Sequence, residues 1–255
     1  MNISWALPWC TILVTACSAA KDIVSLTPLA NQQAITRDGV PALVSTKRNV
    51  VFLRPVAPQQ GSNERPRFVV AVLNRGKAPV TFHVADINVQ STQPRKAKVK
   101  VYTHAELSQE VEEQRNAALF VSALSGVAGA ISASQAGYTH TTGSITASSP
   151  YGTAYGTYSG TTYNPALAQA AANANAQNTA ANMSVIEGQA QRMLSQLQAT
   201  IIKDHTLMPG EWHGGVIVLG VPEKQTSGVA DYVISLTLDG EEHSFNVNQH
   251  RTAQS

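Results

Sequence analysis

Hydrophobic and polar positions follow two different rules along this chain: a period of two dominates both flanks, and the middle follows a helical period. In the stretch Lys98-Val99-Lys100-Val101-Tyr102 the two valines fall on one face and the two lysines on the other, the mark of a strand with one dry side. Runs rich in Val, Ile, Phe and Tyr occupy 50–55, 67–76, 79–89 and 98–103 before the middle, and 213–221, 231–239 and 243–249 after it. Turn formers separate them, and Asp239-Gly240 is a hairpin signal. The pattern predicts an antiparallel β-sandwich.

The middle predicts helices. A helix is expected over 103–134, with Glu106, Glu110, Glu112 and Glu113 near the N-terminal dipole end and no Pro or Gly before Gly126. A second is expected to start at Asn164-Pro165, an N-cap followed by proline at the first helical position, and to run towards Ile202. Its later half places Ile186, Ala190, Met193, Leu194, Leu197 and Ile201 at helical spacing. The connector, 136–164, is too rich in Gly, Ser, Thr and Tyr to continue either helix. Two readings of it stay open: a mobile Tyr-Gly-Thr linker, or a β-hairpin around Tyr151, Tyr155, Tyr158 and Tyr163 that joins others in a barrel.

Charge sharpens the division. No Asp, Glu, Lys or Arg occurs from Asn116 to Ile186, a stretch of 71 residues in a chain whose net charge is only +2. Small residues recur at every fourth position, as Ala118, Ser122, Gly126, Ala130 and Ser134 on the first helix and Ala168, Ala172, Ala176 and Ala180 on the second. Such ridges let backbones approach closely. They serve either to seat the two helices on each other, to pack helices across subunits, or to meet a membrane. The five positions on the first helix are the candidate interaction residues.

Four stretches carry three resemblances. The leader, 1–16, has no charged side chain and an apolar core too short to span a bilayer, and it ends in Val14-Thr15-Ala16-Cys17, which resembles the lipobox of bacterial lipoproteins. That resemblance implies removal of 1–16, lipidation of Cys17 as the membrane anchor and, with Ser18 next, an outer-membrane lipoprotein facing the periplasm. Cys10 would leave with the leader, so no disulfide forms within one mature chain. The stretches VAVLNRGKAPVTF and LMPGEWHGGVIVL resemble immunoglobulin-like bacterial domains, and AALFVSALSGVAGAISAS resembles glycine-zipper segments of envelope proteins. The expected fold is therefore α+β: an antiparallel immunoglobulin-like β-sandwich built from 17–103 and 203–255, with a long helical hairpin inserted over 104–202.

Candidate chemistry changes little. Neither a zinc-protease, nucleophile-elbow nor phosphate-loop motif is present. Asp204 with His205, and Glu211 with His213, are the best acid and imidazole pairs, and the latter two would share a strand face. The near-neutral charge and low aromatic content argue against a nucleic-acid surface. The expectation is a non-enzymatic protein with no catalytic residues, no metal, no cofactor and no small-molecule substrate. Its partners would be the membrane, through Cys17, and another copy or an envelope protein; the alternative is a subunit of an oligomeric outer-membrane channel or secretion complex.

Overall fold

The computed structural model describes residues 21–251; the leader and Cys17 lie outside the described residues. The fold is α+β with antiparallel sheets, and the chain forms two compact units. One takes the chain up to Thr103 and again from Ile202, and the other is His104–Ile201.

The first unit consists of strands β1 (Lys21–Thr27), β2 (Gln32–Arg37), β3 (Val40–Thr46), β4 (Val50–Pro55), β5 (Gln59–Gly61), β6 (Arg67–Leu73), β7 (Val80–Phe82), β8 (Ile87–Gln93), β9 (Ala97–Val99) and β10 (Val101–Tyr102). The second unit holds α1 (His104–Gln135), β11 (Tyr138–Ser149), β12 (Gly152–Tyr163) and α2 (Pro165–Thr200). The first unit resumes with β13 (His205–Leu207), β14 (Trp212–Leu219), β15 (Val229–Leu238) and β16 (Glu241–Arg251).

Two six-stranded sheets result, in the orders β5-β1-β16-β15-β8-β9 and β10-β14-β6-β4-β3-β2. Period-two burial makes the core: Ala230, Tyr232, Ile234, Leu236 and Leu238 point inward from β15, and Phe68, Val70 and Val72 from β6. One hydrophobic cluster takes side chains from both sheets. Phe68 of one sheet meets Tyr232 of the other edge-to-face, with centroids 6.3 Å apart, the geometry that ring quadrupoles favour. At the Asp239-Gly240 turn both residues hold positive φ, 50° and 73°, as the tight hairpin between β15 and β16 requires.

Two strand expectations are corrected. The run at 79–89 is not one strand but β7, a 3-10 turn (Val84–Asp86) and the start of β8, because the Asp204 carboxylate takes the Val84 amide at 2.8 Å and draws it out of a ladder. The alternating stretch at 98–102 belongs to two sheets. β9 pairs with β8 and β10 with β14, so the chain changes sheet at Lys100, whose carbonyl accepts from the Gly220 amide at 2.7 Å. Strands β1, β2 and β3 lie before residue 50, outside the runs whose pattern predicts strands. Their runs are short and mixed with Gln, Thr and Ser.

Candidate interaction arm

The unit His104–Ile201 is one long antiparallel excursion. Asn164 caps α2, its side chain accepting from the amides of Ala166 at 3.0 Å and Leu167 at 3.4 Å, which satisfies donors that a helix start leaves free. The Arg115–Glu187 pair at 3.7 Å, and Asn175 against Gly126 and Gly129, fix α1 and α2 side by side in opposite directions. Beyond them β11 and β12 pair residue for residue, from Tyr138 with Tyr163 to Ser149 with Gly152. The connector is thus a β-ribbon of two 12-residue strands, the hairpin reading and not the linker.

The helix seam departs from the every-fourth-residue ridge. On α1 the buried and half-buried line runs Leu107, Val111, Arg115, Ala118, Ser122, Gly126, Gly129 and Ala133, steps of four, four and three. The line repeats after eleven residues, since Leu107 + 11 is Ala118 and Ala118 + 11 is Gly129. α2 answers with Ala168, Ala172, Asn175, Thr179, Met183, Ile186, Ala190 and Leu194 in the same rhythm. An eleven-residue period, about 3.67 per turn, keeps a seam facing its partner where uniform steps of four drift around the helix. Ala118, Ser122 and Gly126 therefore lie in the seam and seat the two helices of one hairpin, whereas Ala130 and Ser134 are exposed. On α2, likewise, Ala176 and Ala180 are exposed and Asn175 and Thr179 take their place.

Opposite that seam α1 carries a second line in the same rhythm: Phe120, Leu124, Val127 and Ile131, which are 65%, 54%, 61% and 60% exposed. These residues lie outside the small-residue ridge that the sequence offers as the interaction face; the signal that separates them from the seam is the eleven-residue repeat. α1 is also long and apolar enough to cross a membrane by length and composition, with little of it buried.

The ribbon has two unlike faces. Cross-strand register puts Tyr138, His140, Thr142, Ser144, Thr146 and Ser148 with Tyr163, Thr161, Ser159, Thr157, Tyr155 and Thr153 on one side. Every residue there carries a hydroxyl or an imidazole, and Thr161 and His140 are hydrogen-bonded at 2.9 Å. The other face holds all four ribbon glycines, both alanines and Ile145, together with Tyr158 and, toward its ends, Thr139, Thr141, Ser149 and Thr162. On it the Tyr158 ring lies over Gly143, and Ile145 approaches Gly156, the way large side chains cover strand glycines. All ribbon residues but Gly143 and Gly156 are exposed, and neither edge pairs with another strand among the described residues.

The acid and imidazole pairs of the first unit are held by local structure. Asp204 pairs with His83, not His205, at 3.0 Å. The His83 hydrogen bond, then the Val84 amide, hold the Asp204 carboxyl below its ordinary value, and the same bond raises His83. Glu211 accepts from the Met208 amide at 2.8 Å and meets His205 Nε2 at 3.1 Å; the amide, then His205, hold its carboxyl low. His213 does not join Glu211. Its Nε2 meets the Lys203 carbonyl at 2.9 Å and its ring stacks on His205 at 4.4 Å. Among the described residues no three His, Cys, Asp or Glu side chains are grouped as metal ligands would be.

The chain matches no protein-family model, no curated protein and no solved structure.

Proposed function

We propose that this is a non-enzymatic cell-envelope lipoprotein, anchored by acylated Cys17, whose β unit is an immunoglobulin-like sandwich and whose inserted arm binds further copies of the same chain. The observation that carries the reading is the line Phe120, Leu124, Val127 and Ile131, more than half exposed on the face of α1 turned away from α2. A contiguous apolar line of this kind is normally covered, and no charge on the arm between Asn116 and Ile186 keeps it wet. The acid and imidazole pairs are engaged with backbone and with each other, which favours a structural role for them. The ribbon, with its free edges, favours the channel as the form the assembly takes.

The test is photo-cross-linking of the full-length protein in intact cells, with the photoreactive residue at Phe120 or Leu124. A ladder of homo-oligomers is expected, and the same probe at Arg192 should give none. A cross-link to monomer only, or to one unrelated protein, rejects self-association. In parallel, Cys17→Ala should release the protein from membranes or stall its processing; a mature chain with no acyl group removes the anchor.

A further inference from the structure

The ribbon β11–β12 is chemically odd for a part of a protein that stands in water. An isolated two-stranded ribbon is marginally stable. Both its edges leave alternate backbone N–H and C=O groups unpaired, and proteins usually guard such edges with charge, proline or a covering element. None of the formal charges that serve this purpose occurs here, and the one proline, Pro150, sits in the turn. The geometry points to a different environment: the ribbon is a transmembrane β-hairpin, and copies of it join edge to edge into a closed barrel in a bilayer. This rests on the self-association just proposed.

Length agrees. Strands of 12 residues extend about 40 Å and, tilted by about 45°, cover about 28 Å, close to the hydrocarbon thickness of about 30 Å. The two faces agree as well, since a barrel strand alternates between a polar lumen and an apolar exterior. The face of His140, the three serines, five threonines and Tyr138, Tyr155 and Tyr163 would line the lumen; the face of the four glycines, both alanines, Ile145 and Tyr158, whose Thr139, Thr141, Ser149 and Thr162 fall toward the two ends of the ribbon, would meet lipid. A bilayer offers no water to unpaired backbone groups, so a two-stranded sheet cannot cross it alone. Identical units that pair the β11 edge of one with the β12 edge of the next satisfy both edges and close a ring. About eight strands is the smallest such barrel, hence about four copies or more.

The helix pair is the weaker candidate for the membrane. α1 alone passes on length and composition, but α2 lies along it. Gln169, Asn173, Asn175, Gln177, Asn178 and Asn182 of α2 would enter the bilayer with it, at a cost that lipid does not offset.

The experiment uses the full-length lipidated protein, purified in detergent and reconstituted into planar bilayers and dye-loaded vesicles of phosphatidylethanolamine and phosphatidylglycerol. Discrete conductance steps and dye release are expected. Single cysteines at Thr142, Ser144 and Thr146 should react with a charged, membrane-impermeant thiosulfonate and lose conductance, while those at Ile145, Ala147 and Ala154 should stay unreactive. Ser144→Lys should shift the reversal potential towards anion selectivity. Ile145→Lys, one residue away on the lipid face, should abolish conductance while leaving the Phe120 cross-links. Reactivity without a period of two, or intact vesicles beside persistent homo-oligomers, overturns the barrel and leaves self-association standing. Loss of the homo-oligomers themselves from the wild-type protein overturns both.

Discussion

The side-chain amide of Asn175 donates to the main-chain carbonyl of Gly126 at 2.8 Å. Its oxygen occupies the space where a Cβ on Gly129, one turn further along α1, would stand, at 2.1 Å. One polar side chain of α2 thus fills the gap that Gly129 leaves and bonds the Gly126 carbonyl, while Thr179 covers the space beside Gly126, and this explains an asparagine in the seam of an Ala-rich helix. Glycine costs about 1 kcal/mol in a helix interior relative to alanine; close approach and an interhelical hydrogen bond offset that here.

Gly129→Val should therefore loosen the arm. The branched side chain must expel Asn175 and prise the helices apart, and overpacking of this kind costs about 1–3 kcal/mol. Ala130→Val, next in sequence but exposed, should lie within about 0.5 kcal/mol of wild type. Thermal melts followed by helical ellipticity, with limited proteolysis to localise cleavage to the arm, separate the two. A larger loss for Ala130→Val than for Gly129→Val would mean that the seam follows the every-fourth-residue ridge after all.

Those two neighbours show what was legible in the sequence and what was not. Helix existence, the Asn164 cap and the later β runs were readable because each rests on local chemistry: a cap side chain, a proline, an alternating face. The seam depends on which positions a second helix selects, and small residues on an Ala-rich helix occur at nearly every candidate spacing. Lys100 fails for a related reason. Alternation continues unbroken through 98–102, but the hydrogen bonds pass from one sheet to the other there, and only tertiary pairing decides that. Ribbon and linker were equally compatible with the Gly, Ser and Thr composition of the connector, until register brought Tyr158 over Gly143 and the Tyr138 and Tyr163 rings to 4.8 Å.

Acid should destabilise the β unit through His243. Its ring is fully buried, Nδ1 meets Ser45 Oγ at 2.9 Å, and Nε2 lacks a hydrogen-bond partner. Burial, then the positive charge of Lys47, hold its pKa below the ordinary 6.5, against the opposing pull of Glu241. A depressed imidazole means that the unfolded chain binds a proton which the folded one refuses. Stability is thus lost as pH falls below about 6.5, at up to about 1.4 kcal/mol per pH unit for one proton. Glu241 and Asp22, also depressed, act only below their ordinary values of 4.5 and 3.8. His83, which is raised, contributes stability that is complete at low pH and lost as pH rises. The interval from about 6.5 to 4.5 therefore reports His243. Melting temperature should fall across it in wild type and stay flat in His243→Gln; an equal slope in both would place the proton elsewhere.

Lys224 should matter more than its position in a loop suggests. Its ammonium reaches the fully buried carboxylate of Asp22 together with the Ser62 carbonyl and hydroxyl, and Gln249 donates to the same carboxylate oxygen at 2.7 Å. Burial pushes the Asp22 carboxyl up, but the bonds from Lys224, Gln249 and Ser62 and the lysine charge outweigh it and leave it low. Lys224→Met strands a buried anion and should cost about 3–5 kcal/mol at neutral pH, whereas Asp22→Asn combined with Lys224→Met should recover most of the loss. Denaturant midpoints at neutral pH decide it; a double variant as unstable as the single one would show that packing, not charge, is at stake.

Excision of the arm should leave the β unit folded. The two ends of the arm return to one strand: β10 pairs Tyr102 with Val218 of β14, and the Ile202 amide donates to the Val216 carbonyl of the same strand at 3.1 Å. Ends held that near can be joined by a short Gly-Ser connector, and closing a shorter loop costs less entropy than the 98 residues of His104–Ile201 that it replaces. The hydrophobic core contributes the second reason. Its buried cluster draws on both sheets and on Ile202, and none of its members lies between residues 104 and 201. Removing that segment while keeping Thr103 and Ile202 should give a monomer with a cooperative melt and a β-type ellipticity spectrum. Ile202→Ala in the same shortened chain should then destabilise it by about 2–5 kcal/mol, as truncation of a buried isoleucine does. A non-cooperative melt of the shortened chain would mean that the helices complete the β unit's core, and the arm could no longer be treated as an insertion that the sheets tolerate.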